Sequence, residues 1–260
     1  MPLLQVMVGA GLGPAAAGAF QIAQRFLTLA ATATLTPMRF AALPVFVRVR
    51  DDAARLRRTV VGTAGLVSLI SAPIYFGLLA TAPLLVPLAV GETNGPPSVP
   101  VLQALLLVGG HAGLYPVFLQ SLTAIGRSDV ALRWSVALLV LNLAIGAVTV
   151  FFSSTLTALG YSLLGYVLAP VLLSSMRTHM GVPPREMIVA VFGPVLAAIM
   201  MAIVVLAFGR VFETSLAPLP LLAAEIALGA AIYIALVVLI SRRQVTTTLD
   251  LLSTLRPRRL

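Results

Sequence analysis

One arginine lies deep inside an apolar run. Arg25 stands about ten residues into a segment covering roughly 15–45, and polar side chains recur around it at spacings of three and four: Gln21, Arg25, Thr28, Thr32 and Thr36. At 3.6 residues per turn these fall on one stripe of a helix, with Gln24 at its border and Ile22, Phe26 and Leu29 off it. A guanidinium at membrane depth costs at least ~2.5 kcal/mol and cannot shed its charge. It is therefore expected to face a protein interior or a water-filled cavity. The chemistry available there is anion binding, because the planar fork makes paired, charge-assisted hydrogen bonds to phosphate or carboxylate. The plainer reading is a buried arginine satisfied by carbonyls or by an acid elsewhere in the bundle, and Glu225 is the one intramembrane acid in reach of that role.

His111 and Tyr115, four apart in a run over about 99–125, form a second candidate pair. They are suited to a proton or a sugar hydroxyl, or to hydrogen bonds between helices. Gly109 and Gly113 beside them read as close helix packing, and Asn142 reads as packing glue. Ser68, Ser71 and Tyr75 mark a weaker polar face. The candidate substrate-binding set is thus Arg25, Gln21, Gln24, Thr28, His111 and Tyr115. No catalytic residue, metal site or cofactor is expected. The chain has no cysteine, which excludes disulfides, thiolate zinc sites and a cysteine nucleophile. It also has no HExxH, no Gly-Lys phosphate loop and no carboxylate pair at helical spacing within a span.

The elements that must position these residues are transmembrane helices. Hydrophobic residues make up 60% of the 260 and charged residues 10%, with a mean hydropathy of +1.06. A soluble domain has about 25% charged residues, so this chain could not cover its apolar surface in water. The reading is an all-α polytopic bundle over 1–240 with a basic cytoplasmic tail over 241–260. Eight apolar segments fall at about 1–12, 15–45, 59–90, 99–125, 131–152, 156–176, 188–209 and 218–240. That is about seven full spans plus one short N-terminal helix, since a span needs at least ~17 residues. The short first segment reads as the second half of a helix and the chain as a piece of a longer transporter. Met1–Ala19 lacks the basic start of a signal peptide. The last two segments, almost wholly apolar, are expected to be peripheral and lipid-facing.

Every basic residue is an arginine, and the arginines alternate. Fourteen fall on one side, in the loop from Arg48 to Arg58, beside Arg127 and Arg133, beside Arg177 and Arg185, and in the tail; the alternate loops hold only Arg210. By the positive-inside rule this places the C-terminus in the cytoplasm and leaves Glu92 and Glu213 outside. The same distribution makes a nucleic-acid partner unexpected despite the net charge of +9. The tail's two separated arginine groups read as a topology anchor, with anionic lipid headgroups as the alternative partner.

Certain runs resemble a known family. Gly18-Ala19-Phe20-Gln21-Ile22-Ala23-Gln24-Arg25-Phe26, then Leu43-Pro44-Val45-Phe46, then Asp51 to Arg58, look like the second half of Wzx-type polysaccharide flippases of the multidrug/oligosaccharidyl-lipid/polysaccharide exporter superfamily. Ala124-Ile125-Gly126-Arg127 and Leu159-Gly160-Tyr161-Ser162 resemble later turns of that family. The resemblance implies two six-helix bundles around a lumen, with this chain supplying spans seven to fourteen and the first bundle, or a partner chain, lying elsewhere. It implies export of undecaprenyl-diphosphate-linked oligosaccharide across the bacterial inner membrane for cell-surface polysaccharide or lipopolysaccharide, and no enzymatic activity. Arg25 then fits the cationic lumen position, with Gln21, Gln24 and Thr28 available to sugar hydroxyls. Two alternatives stay open: a cation-coupled multidrug exporter of the same superfamily, and a membrane scaffold of a glycan-synthesis complex.

Overall fold

The computed structural model describes residues 2–240, apart from the side chains of Pro2, 35–42 and Ile240. The tail over 241–260 and the Thr36 side chain lie outside the described residues. The described chain is all helix: α1 (Pro2–Leu12), α2 (Pro14–Val49), α3 (Ala53–Val90), α4 (Gly95–Leu106), a 3-10 turn (Leu107–Gly110), α5 (Tyr115–Ala124), α6 (Ser128–Thr149), α7 (Ser154–Met180), α8 (Pro184–Phe212) and α9 (Pro218–Ile240).

Local chemistry sets the joints. Gly13 takes φ +87 between α1 and α2, a backbone that side chains rarely adopt, and Pro14 then starts α2 with φ already helical. The Asp52 carboxylate accepts from the Arg55 amide to cap α3, and the Ser153 hydroxyl accepts from the Leu156 amide to cap α7. Gly181 closes α7 in the left-handed conformation.

Five helices are long and apolar enough to cross a membrane: α3, α6, α7, α8 and α9. The bent pair α4–α5 makes a sixth. α2 has 36 residues, about 54 Å of helix, and its polar stripe lowers its hydropathy. The all-α polytopic bundle read from composition is therefore the fold.

α3 is the spine. It contributes to all three clusters of buried side chains. The first packs Phe20, Leu102 and Leu105 around Tyr75. The second packs Val60, Phe118, Met176 and Met187 toward the arginine-rich ends. The third joins α3, α8 and α9 through Ala72, Phe76, Ala197, Ala198 and Tyr233. Lipid tails are as apolar as leucine, so close packing of small residues rather than water exclusion holds such helices together. α8 corrects one expectation. It is not peripheral: nearly half of its apolar stretch is buried, mostly against α3. The helix with almost no burial is α6.

Beyond the apolar stretches, Arg57 of α3 holds Glu186 of α8 with two hydrogen bonds, Nε to Oε2 at 2.9 Å and Nη2 to Oε1. The Arg57 guanidinium lowers the Glu186 carboxyl below the ordinary carboxylate range. A carboxyl depressed in the folded state stabilises above its unfolded pKa, and the benefit is lost as pH falls through the folded value. Both partners are partly exposed, so the effect is small. Arg57→Gln is expected to lower the unfolding midpoint in detergent slightly at neutral pH and not at all once Glu186 is protonated. Equal midpoint losses at both pH values would remove the bridge as the cause.

Candidate functional site

The stripe forms as its spacing predicts, on an open face. Gln21, Arg25, Thr28 and Thr32 are exposed, while Phe20, Ala23, Leu27 and Ala30 on the other side of α2 are buried. Gln24 is half-buried at the edge. The Thr28 hydroxyl donates to the Gln24 carbonyl at 2.8 Å, and that of Thr32 to the Thr28 carbonyl at 2.7 Å. Their hydrogens are thus committed to the helix, and only oxygen lone pairs face outward. Arg25 forms no ion pair among the described residues; Glu225 does not reach it. The arginine expected inside a protein cavity stands instead on a face that this bundle leaves uncovered.

His111 and Tyr115 are brought together, though not on a continuous helix. The run over 99–125 is broken: α4 ends in the 3-10 turn, residues 111–114 turn, and α5 leaves at 47°. Three glycines and Pro116 explain it. A Cβ at Gly109, Gly110 or Gly113 would overlap Tyr75, Tyr166 or Ser68 respectively, so the backbone is pressed against α3 and α7 where a side chain would hold it off. The glycines read as helix-packing residues do serve close approach, at a break rather than along a helix.

α7 satisfies the groups freed by the break. The Ser162 hydroxyl donates to the Leu105 carbonyl at 3.1 Å and the Tyr166 hydroxyl to the Leu107 carbonyl at 2.6 Å. His111 Nε2 lies 3.2 Å from the Ser162 carbonyl. A carbonyl only accepts, so Nε2 carries the hydrogen. The imidazole meets the Tyr166 ring edge-on at 4.9 Å and lies over Gly165, where any Cβ would collide with it.

Beside the break is a cavity of about 240 Å³. Tyr75, His111, Tyr115, Trp134, Asn142 and Tyr161 line it, drawn from α3, the break, α5, α6 and α7. The Tyr115 hydroxyl reaches Ser135 Oγ at 3.4 Å. Asn142 donates to the Leu138 carbonyl at 2.8 Å, while its Oδ1 is buried with no partner among the described residues. Asn142 thus lines the wall with a buried, unpartnered acceptor as well as packing there. Trp134 was not singled out from the sequence, and Tyr161 only as part of a family-like run, not as a site residue. The one available signal for Trp134 was rarity, since it is the only tryptophan. Aromatic edges, ring faces and a free amide oxygen suit a polyhydroxylated ring, which offers both C–H faces and hydroxyl donors.

α2 lies between two cavities. Leu27 and Ala31 line the aromatic one; Phe26, Leu29, Ala30 and Ala33 line a second, toward α9. The stripe faces outward between them. Among the described residues no cluster of three His, Asp or Glu could hold a metal ion.

Residues 2–94, which hold α1 to α3 and the stripe, match a family described as polysaccharide biosynthesis protein. A solved structure titled "Lipid II flippase MurJ, inward closed conformation" superposes with a TM-score of 0.66 at 16% identity, over 88% of this chain and 48% of that one. The chain thus spans about half the length of that flippase. No curated protein matches it. A likeness at that identity carries the fold, and the matched segment carries the family signature. The chain is an integral membrane protein that is similar over residues 2–94 to a polysaccharide biosynthesis family and shares the fold of a flippase structure.

Proposed function

We propose that this chain moves undecaprenyl-diphosphate-linked oligosaccharides across the bacterial inner membrane. The observation that carries the reading is Arg25: a guanidinium with no ion pair among the described residues, on an exposed polar stripe about a third of the way along a long helix inside the family-matched segment. Lipid-linked diphosphate supplies the anion that such a cation lacks. Gln21, Gln24 and the Thr28 lone pair flank it for sugar hydroxyls, and the His111–Tyr115 pocket takes one sugar ring. The open face of α2 is completed by an apposed bundle, on the same or another chain. Rocking of the two bundles carries the headgroup while the lipid tail stays in the bilayer.

The reading is tested in proteoliposomes holding the chain with its apposed bundle and a fluorescent undecaprenyl-diphosphate oligosaccharide. Export predicts transfer of the headgroup between leaflets above the protein-free rate. Transfer at the protein-free rate, with the protein folded, would end it.

Two further results are expected. Trp134→Ala and Asn142→Leu strip a ring face and the unpartnered acceptor from the pocket, and each is expected to slow transfer by about tenfold, the worth of one hydrogen bond or stacking contact. Unchanged transfer in both would remove the pocket from the path. The second result concerns orientation: the arginine-rich side is cytoplasmic. The natural chain lacks cysteine, so single cysteines at exposed Glu92 and Asp51 report it directly. An impermeant maleimide added to intact cells is expected to label position 92 and spare 51; the opposite pattern would invert the topology.

A further inference from the structure

The aromatic cavity has room for a ring but offers it few polar partners. Much of its wall is apolar, with Leu27, Leu138, Leu164, Leu168 and Leu172 between the aromatic side chains. Most of its polar groups are committed elsewhere. His111 Nε2 donates to the Ser162 carbonyl, and the Tyr115 hydroxyl donates to Ser135 Oγ. The Tyr75 hydroxyl is engaged by the Thr34 side chain. Asn142 gives an amide hydrogen to the Leu138 carbonyl, and its Oδ1 is covered by its surroundings. The Leu105 and Leu107 carbonyls freed by the break already accept from Ser162 and Tyr166.

Tyr161 differs. It lines the cavity, and its hydroxyl makes no hydrogen bond among the described residues. Unlike Asn142 Oδ1, that hydroxyl oxygen is not a sealed atom. It can both donate and accept. The wall therefore serves one hydroxyl well and meets the rest of a ring with leucine and aromatic surface. A sugar hydroxyl taken out of water without a partner costs binding energy, whereas a methyl group in the same place gains it. A fully hydroxylated hexose strands hydroxyls against the leucines. An acetamido group adds both an N–H and a carbonyl that need partners.

We propose that the pocket takes a 6-deoxyhexose, a sugar ring with a methyl group where a hexose has a hydroxymethyl, and that the Tyr161 hydroxyl reads one of its ring hydroxyls. The proposal rests on the reading of this pocket as a sugar subsite and names the class of sugar. The methyl group and the C–H faces of the ring meet the leucines and the aromatic faces, and Tyr161 fixes the ring's orientation.

The test uses the protein's own reporter. Trp134 is the only tryptophan. It lines this cavity and packs edge-on against Phe118 at 5.4 Å, so its emission follows occupancy of the pocket without any transport. The full chain in lauryldimethylamine oxide, a detergent without a sugar headgroup, is titrated with methyl 6-deoxyglucoside, methyl glucoside and methyl N-acetylglucosaminide. The 6-deoxy glycoside is expected to shift the emission at roughly tenfold lower concentration than the other two, the worth of one stranded hydroxyl. Tyr161→Phe removes a hydroxyl that no other residue uses, so the variant is expected to fold normally and to need about five- to tenfold more of the 6-deoxy glycoside. Equal midpoints for the three glycosides keep the sugar subsite and overturn the choice of sugar, as does tighter binding of either competitor. No shift with any of them overturns the subsite as well. An unchanged midpoint in Tyr161→Phe removes that residue from recognition. Transfer of lipid-linked oligosaccharide in proteoliposomes is a separate measurement, and its failure alters none of these midpoints.

Discussion

Arg25→Gln, inserted at the normal level, is expected to lower lipid-linked oligosaccharide transfer by two to three orders of magnitude. Glutamine keeps a polar side chain on the stripe and removes the charge and the fork. A hydrogen bond to a charged group is worth about 1.5–3 kcal/mol, and a bidentate guanidinium–phosphate contact makes two. Losing both removes about 3–6 kcal/mol; glutamine restores one neutral hydrogen bond, which leaves a loss of about 3–4 kcal/mol, and each 1.4 kcal/mol is tenfold. Arg25→Lys keeps the charge as a point and loses the planar fork, so it is expected to fall between. Thr28→Val is the contrasting control. Its hydroxyl hydrogen is already given to the Gln24 carbonyl, so only an acceptor lone pair is removed and transfer is expected to fall only a few-fold. Full transfer by Arg25→Gln would detach the arginine from substrate. A Thr28→Val loss as large as that of Arg25→Gln would show that the face matters through packing rather than charge.

Gly165→Ala is expected to be a strongly damaging single methyl addition near the pocket. The new Cβ would fall on the His111 imidazole, a ring held from behind by the Ser162 carbonyl and edge-on by Tyr166. It can yield only toward the cavity it lines, at the cost of its hydrogen bond to the Ser162 carbonyl. Overpacking of this kind costs about 1–3 kcal/mol, read as a lowered unfolding midpoint in detergent. His111→Ala removes the obstacle. In that background Gly165→Ala is expected to be nearly neutral, so a double-mutant cycle returns most of the loss as coupling between the two positions. A Gly165→Ala penalty that is the same with and without the imidazole would assign it to α7 itself. The break would then not depend on the His111–Gly165 contact.

The two results bear on one mechanism. The helix break turns α5 away from α4 and opens the aromatic pocket beside α2. Broken helices at membrane depth are tolerated where protein satisfies their backbone groups, and Ser162 and Tyr166 do that here. The pocket and the stripe sit on adjoining faces of α2. The stripe thus has a sugar-sized recess on one side and an apolar groove on the other.

Much of this was legible in the sequence, and the limits have a physical reason. The stripe of Gln21, Arg25, Thr28 and Thr32 was readable because helical periodicity is local: residues three and four apart share a face whatever surrounds them. The membrane bundle was readable because each span must carry its own apolar run. The break was half-legible. Gly109, Gly110, Gly113 and Pro116 were visible, but an unbroken apolar run conceals whether glycines pack a straight helix or allow a bent one. The burial of α8 was not legible, because in a bilayer lipid-facing and protein-facing residues are both apolar and composition cannot separate them. The pocket of Tyr75, Trp134, Asn142 and Tyr161 and the isolation of Glu225 belong to the tertiary structure alone. Their residues come from helices far apart in the chain, and which side chains meet, and which find no partner, is decided only when the helices pack.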